Sequence, residues 1–157
     1  MSDYLLRPRV EANLLNPALI GLTIAYAAAG YTRDQERPMP WPVAFLIPPL
    51  VLHRPTRLAL PADARTHFAS WVSRHSTLMA GFPRRAAVMT EPTREGLRLV
   101  LRARRVAFAD AAIRAMSLAT PPRGELGQLL RASSLVGRLL ARLDQPSTAF
   151  ALLGVSP

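Results

Sequence analysis

PTREGLRLVLRARRVAFADAAIRAM, residues 92–116, carries two patterns in succession, and their order sets the fold. From about Glu91 to Arg104, Leu97, Val100 and Leu101 recur at helical spacing and predict a helix with one inward stripe. From Val106 to Met116 the chain alternates loosely, which predicts a two-stranded hairpin. Upstream, Asp63 is placed to cap a helix over residues 64–75 with Phe68, Trp71 and Val72 inward. Residues 76–89 predict a second helical stretch, shortened or bent by Gly81 and Pro83. Three helices followed by a hairpin give a mainly α, single-domain fold with a winged-helix-like core and a small β-hairpin. At 157 residues the chain has the length for one real core and is short for two.

The same stretch places Arg94, Arg98, Arg102 and Arg105 at spacings of four, four and three, which stacks them on one helix face. Such a column suits the phosphates of DNA, an acidic protein surface, or plain solvation, and the residues alone leave all three open. No aromatic residue is interleaved with these arginines, which counts against stacking on single strands.

Outward from this core, residues 1–15 read as an N-terminal arm, residues 16–116 as the helical, winged-helix-like core, residues 117–124 as a linker, and residues 125–157 as an amphipathic helix and a docking turn. Asn16 followed by Pro17 predicts a capped helix ending near Ala29, with Gly30 just past its end. This helix is apolar nearly all round, so it belongs in a core or under a partner. Residues 32–40 read as a polar loop. WPVAFLIPPLVLHRPTRLALP, residues 41–61, holds adjacent prolines that exclude a central strand and predict a break near residues 47–49. Residues 43–52 are expected in the core, with His53 and Arg57 at its rim. SLATPPRG, residues 117–124, is a linker by its prolines and small residues. Over residues 125–143, Leu126, Leu129, Leu130, Val136, Leu140 and Leu143 fall on one side of a helix, with Arg131, Arg138 and Arg142 on the other. The final PSTAFALLGVSP is apolar to its end and is expected to dock onto something.

Composition narrows the function. The chain has 20 basic and 10 acidic residues, a formal charge of +10, and every basic residue is Arg. Without Lys there is no P-loop lysine and no Schiff-base lysine. The charge favours an acidic partner, although a GC-rich genome gives the same arginine bias. The absence of Cys excludes disulfides, zinc fingers and a thiol nucleophile. No apolar run approaches the roughly 20 residues of a spanning helix, and no secretory leader is evident, so a cytoplasmic protein with no membrane partner is expected. His67 and His75 lie eight residues apart, about 12 Å along a helix, too far for one metal ion. No nucleophile elbow, glycine-rich phosphate loop or zincin motif is present, so neither an enzyme nor a cofactor is expected.

NPALIG, FLIPPLVLHRPTRLALP, the Gly81–Phe82 pair, PTREGLRL and GRLLARLDQPSTAFALLGVSP together resemble the middle component of three-component ABC systems. These are small bacterial proteins encoded between an SMC-like or Rad50-like ABC ATPase and a variable effector, in anti-phage conflict loci related to Lamassu-type defence. The resemblance implies a non-enzymatic adaptor with that ATPase and that effector as partners, and DNA reached through the complex. Leu52, His53, Thr56, Arg57, Leu60 and Pro61 carry the middle motif, and Phe150, Leu152, Gly154 and Pro157 the terminal one. Partner contacts are therefore expected at His53, Arg57, Phe150, Leu152 and Leu153, and nucleic-acid or acidic-surface contacts at Arg94, Arg98, Arg102 and Arg105. The competing expectation is a stand-alone winged-helix DNA-binding regulator.

Overall fold

The computed structural model of the chain describes residues 16–157; the expected arm, residues 1–15, lies outside them. In chain order the elements are α1 (Pro17–Gln35), β1 (Met39–Pro40), a 3-10 helix (Trp41–Phe45), α2 (Ile47–Val51), α3 (Arg54–Leu58), α4 (Phe68–Arg74), α5 (Ser76–Met79), α6 (Phe82–Val88), α7 (Thr90–Arg102), β2 (Val106–Ala109), β3 (Ala112–Ala115), α8 (Glu125–Ala141) and α9 (Pro146–Leu153). The fold is mainly helical with one small antiparallel sheet, as the sequence predicts.

Helix α1 is the axis. Asn16 caps it by accepting the Ala18 N–H at 2.9 Å, with Pro17 in the first turn. The helix does not stop at Gly30 but runs to Gln35, with Glu36 in the left-handed region (φ 55) closing it onto the Thr32 carbonyl. Gly30 is a crossing point rather than a cap, because a Cβ there would collide with the Ser134 carbonyl of α8. Gly137 of α8 likewise abuts the Ala27 carbonyl. On the α7 side, a Cβ on Gly21 would lie 2.5 Å from the Gly96 carbonyl oxygen, and one on Gly96 would lie 2.8 Å from the Gly21 nitrogen. Glycine costs about 1 kcal/mol in a helix interior, and here it lets three backbones pack face to face. Up to Tyr31 helix α1 is apolar nearly all round because α7, α8 and the sheet surround it, and its last turn, with Arg33, Asp34 and Gln35, is exposed.

The hairpin forms where its pattern predicts, with Val106 opposite Ala115 and Ala109 opposite Ala112. Its two-residue tip, Asp110–Ala111, has both residues at positive φ (53 and 59), as a type I′ turn demands. Left-handed backbone costs a residue such as Ala about 1–2 kcal/mol, so this turn closes without the glycine that usually marks one. The structure adds a strand that the sequence reading took for loop. Met39 pairs with Ile113 and Pro40 with Ala112, giving the order β1-β3-β2. A strand after α1 joins the hairpin that follows α7, which is winged-helix-like connectivity.

Residues 43–52 are core as expected, with Val43, Ala44, Leu46, Ile47, Leu50 and Val51 at most 1% exposed. Pro48 and Pro49 lie in the first turn of α2, where a missing N–H breaks no helical bond. Two expectations fail for local reasons. Asp63 caps no helix: it accepts the Arg65 N–H and pairs with the Arg65 guanidinium, both at 2.8 Å, and α4 begins only at Phe68. Leu126 is 44% exposed because it lies at the very start of α8, while Leu129, Leu130, Val136 and Leu140 are buried. Residues 117–124 run back over the core, where the Tyr26 hydroxyl donates to the Ala119 carbonyl and the Pro122 carbonyl fills the space beside Gly127.

Candidate functional site

GFPRRAAVMT, residues 81–90, builds a ridge with a groove on each side. Phe82 is fully buried and anchors α6, and Pro83 fits its first turn. Pro83, Ala86, Ala87 and Thr90 face one groove, while Gly81, Arg84, Arg85 and Val88 face the other. Those two sets have the i, i+3, i+4, i+7 spacing of opposite helix faces.

The first groove, about 420 Å³, is walled by Trp41 and Phe45 of the 3-10 helix, by Arg94 of α7, and by the chain end. Gly154 (φ 72) ends α9 in the left-handed conformation, and the Val155 N–H returns to the Phe150 carbonyl at 3.0 Å. That turn brings Val155, Ser156 and Pro157 into the groove. The expected docking turn is thus docked on its own chain: Phe150 is 5% and Leu153 2% exposed, buried in the core, and Leu152 is half-buried. Their apolar character is accounted for by packing within the chain, so any partner contact here falls to the groove walls. Trp41 is the largest of these, 42% exposed and packed edge-on against Phe45 at 6.0 Å.

The second groove, about 340 Å³, has apolar walls from Pro49, Leu52, Val88 and Met89, with His53, Arg84 and Arg85 around them. His53 Nδ1 lies 2.7 Å from Thr56 Oγ1. Burial, and then the Arg85 charge, hold the His53 pKa below its ordinary value. Arg57, expected at the rim as a partner contact, donates to the Val51 carbonyl at 2.6 Å and so closes the C-terminal end of α2.

Arg94, Arg98 and Arg102 lie on the face of α7 opposite Thr93, Gly96 and Val100, which are buried, whereas Arg105, expected on the same helix face, lies beyond the helix end because Arg104 turns the chain at φ 55. Arg94, Arg98, Arg102 and Arg105 are all exposed; Arg94 pairs with Glu91 and also reaches the first groove. The structure therefore brings Arg94 to Phe150 and the chain end, and His53 to Arg84 and Arg85, and leaves Arg98, Arg102 and Arg105 apart from both. The sequence reading missed Trp41, Arg84, Arg85, Ala87 and Val88. A usable signal was present: a seven-residue helix with apolar residues on every side cannot bury them all.

The profile of a family described as ABC-three component (ABC-3C) system Middle Component 3 matches residues 5–157. The chain belongs to this family. The resemblance carried by the sequence motifs is thereby borne out, and the protein is a middle component of a three-component system. Comparison with curated proteins and with solved structures gives no match. Four of the five stretches that carry the resemblance reach the α6 face: LVLHRP supplies Leu52 and His53, GF supplies Gly81, PTREGLRL supplies Arg94, and FALLGVSP supplies residues 154–157, while NPALIG lies at the start of α1. Among the described residues, no helix is long and apolar enough to cross a membrane.

Proposed function

We propose that this middle component is a non-enzymatic adaptor that links an SMC/Rad50-like ABC ATPase to an effector in an anti-phage defence complex, with the α6 ridge as its docking face. The observation that carries this reading is the pair of open, apolar-walled grooves flanking one exposed ridge. Among the described residues, the titratable side chains that line them are His53, Arg84, Arg85 and Arg94. Three of these are arginines, always charged, and supply no acid–base pair for catalysis. Membership of a three-component system supplies the partners such a face needs. The test is to purify the chain with the other two components of its system. Co-migration with at least one is expected; a chain that elutes alone from both overturns the adaptor.

The exposed arginine column favours a second reading, contact with duplex DNA, either within the complex or as a stand-alone winged-helix regulator. Helix α7 precedes the hairpin and presents Arg94, Arg98 and Arg102 on the face away from the buried Gly96 and Val100, with Arg105 exposed in the turn that follows. This reading expects duplex binding whose affinity falls steeply with salt. Replacing Arg94, Arg98 and Arg102 together by Gln should abolish it; unchanged duplex affinity in the triple variant removes this reading.

A further inference from the structure

We infer that the groove between α2–α3 and α6 is a receptor for a carboxylate carried on an apolar segment of a partner component, with Arg85 as the residue that takes the carboxylate. The inference rests on the adaptor reading and adds the chemistry of what is bound. Its basis is the state of Arg85. The Nε atom is buried and has no hydrogen-bond partner among the described residues. Its Nη2 reaches Thr56 Oγ1 only at 3.5 Å, and the guanidinium carbon lies 5.8 Å from the Phe82 ring centre. Among the described residues, no Asp or Glu lines the groove. Among the described residues this is a partly desolvated cation with no anion in its groove, and burial accordingly pushes its pKa down. A guanidinium in that state gains most from an oxyanion that accepts from two of its N–H groups at once.

The walls decide which oxyanion. Pro49, Leu52, Val88 and Met89 offer apolar surface, and His53, its pKa held down, adds no full second charge close by. A phosphodiester backbone entering this groove meets the two guanidiniums but loses water against apolar walls that it cannot use. A segment with an Asp or Glu flanked by apolar side chains satisfies the cation and the walls together. Arg84, exposed at the rim, adds attraction at a distance for the same acidic segment.

The experiment measures affinity of the full chain for each of the other two components of its system, comparing wild type, Arg85→Gln, Val88→Glu and Arg123→Gln. Val88 is 65% exposed, so Val88→Glu leaves the fold intact while placing a carboxylate one helical turn from Arg85, where it competes from within the chain. Arg123→Gln removes the same charge at an exposed site away from the groove. Arg85→Gln and Val88→Glu should each weaken binding of one component by about 30-fold or more, and Arg123→Gln by about twofold or less. If wild type binds a component and Val88→Glu and Arg85→Gln bind it equally well, the carboxylate receptor is overturned while the adaptor stands. If wild type binds neither component, the adaptor falls and takes the inference with it. If Arg85→Gln lowers the melting temperature, Val88→Glu decides alone. A loss in duplex-DNA affinity with protein affinity intact makes the groove a nucleic-acid site and also overturns the inference.

Discussion

The seams of α1 and the ridge of α6 are both built from alanines and branched apolar residues, yet one is sealed and the other open. In the first, Gly30 lies against Ser134, Gly137 against Ala27 and Gly21 against Gly96, with backbones so close that no side chain fits between them. In the second, Ala87 and Val88 are exposed, and beside them stand Arg84 and Arg85, with no carboxylate among the described residues of their groove. Apolar composition therefore does not separate core from interface. Two other features separate the seam from the proposed docking face: small residues facing small residues across distant helices at the seam, and cations beside exposed apolar side chains on the ridge.

The largest effect that separates the two regions is expected at the seam. Gly137→Val places branched atoms where the Ala27 carbonyl already sits, and neither helix can shift without opening the other's packing. Overpacking a tight core costs about 1–3 kcal/mol and sometimes more. With backbone as the obstacle the loss should reach at least about 3 kcal/mol, measured as a fall in the urea midpoint. A variant as stable as wild type would mean that the α1–α8 seam is loose, and the contrast with α6 would collapse.

How much of this was legible follows the same physics. The α7 helix, the hairpin and the buried run at residues 43–52 were readable because each repeats its pattern over several residues. Strand β1 was not, since two residues, one of them Pro40, carry no period. The end of α1 was misplaced because a glycine that caps a helix and a glycine at a helix crossing look alike until the partner helix is known. Asp63 was misread because Arg65, two residues on, captures the carboxylate that a cap would use. At the proposed docking face, His53 was named through its motif and Arg94 through its helical spacing to Arg98 and Arg102. Arg85 was not, because being unpaired is a property of the fold: a sequence shows that an arginine is present, not that its Nε is buried without an acceptor.

On the ridge the expected outcome is reversed. Ala87→Arg keeps a good helix former at an exposed position, so stability should change by less than about 0.5 kcal/mol. The long side chain fills the first groove, and affinity for the bound component should fall at least about tenfold. Equal stability with equal affinity would restrict docking to the second groove. A large loss of stability would place Ala87 in the core and erase the distinction between the two regions.

The smallest effect is a difference in pH response. The buried seam positions Gly21, Gly30, Gly96 and Gly137 carry nothing that titrates, whereas the ridge packs beside His53, whose pKa is held below its ordinary value first by burial and then by the Arg85 charge. The folded state thus favours the neutral imidazole. Between the lowered folded pKa and the ordinary value near 6.5, the unfolded chain binds more protons than the folded one, so stability rises with pH across that window. The contribution of His53 is complete above about pH 6.5, declines as pH falls towards the folded pKa, and is constant below it. His53→Gln removes that part of the slope while Gln offers the Thr56 hydroxyl an equivalent partner. Because His53 is only partly buried, the difference is small, and it is read by comparing unfolding midpoints of wild type and His53→Gln at about pH 5 and about pH 7.5. Wild type should lose more stability than the variant on acidification. Identical losses would show that the imidazole is solvated and that the groove around Arg85 is wetter than its apolar walls imply.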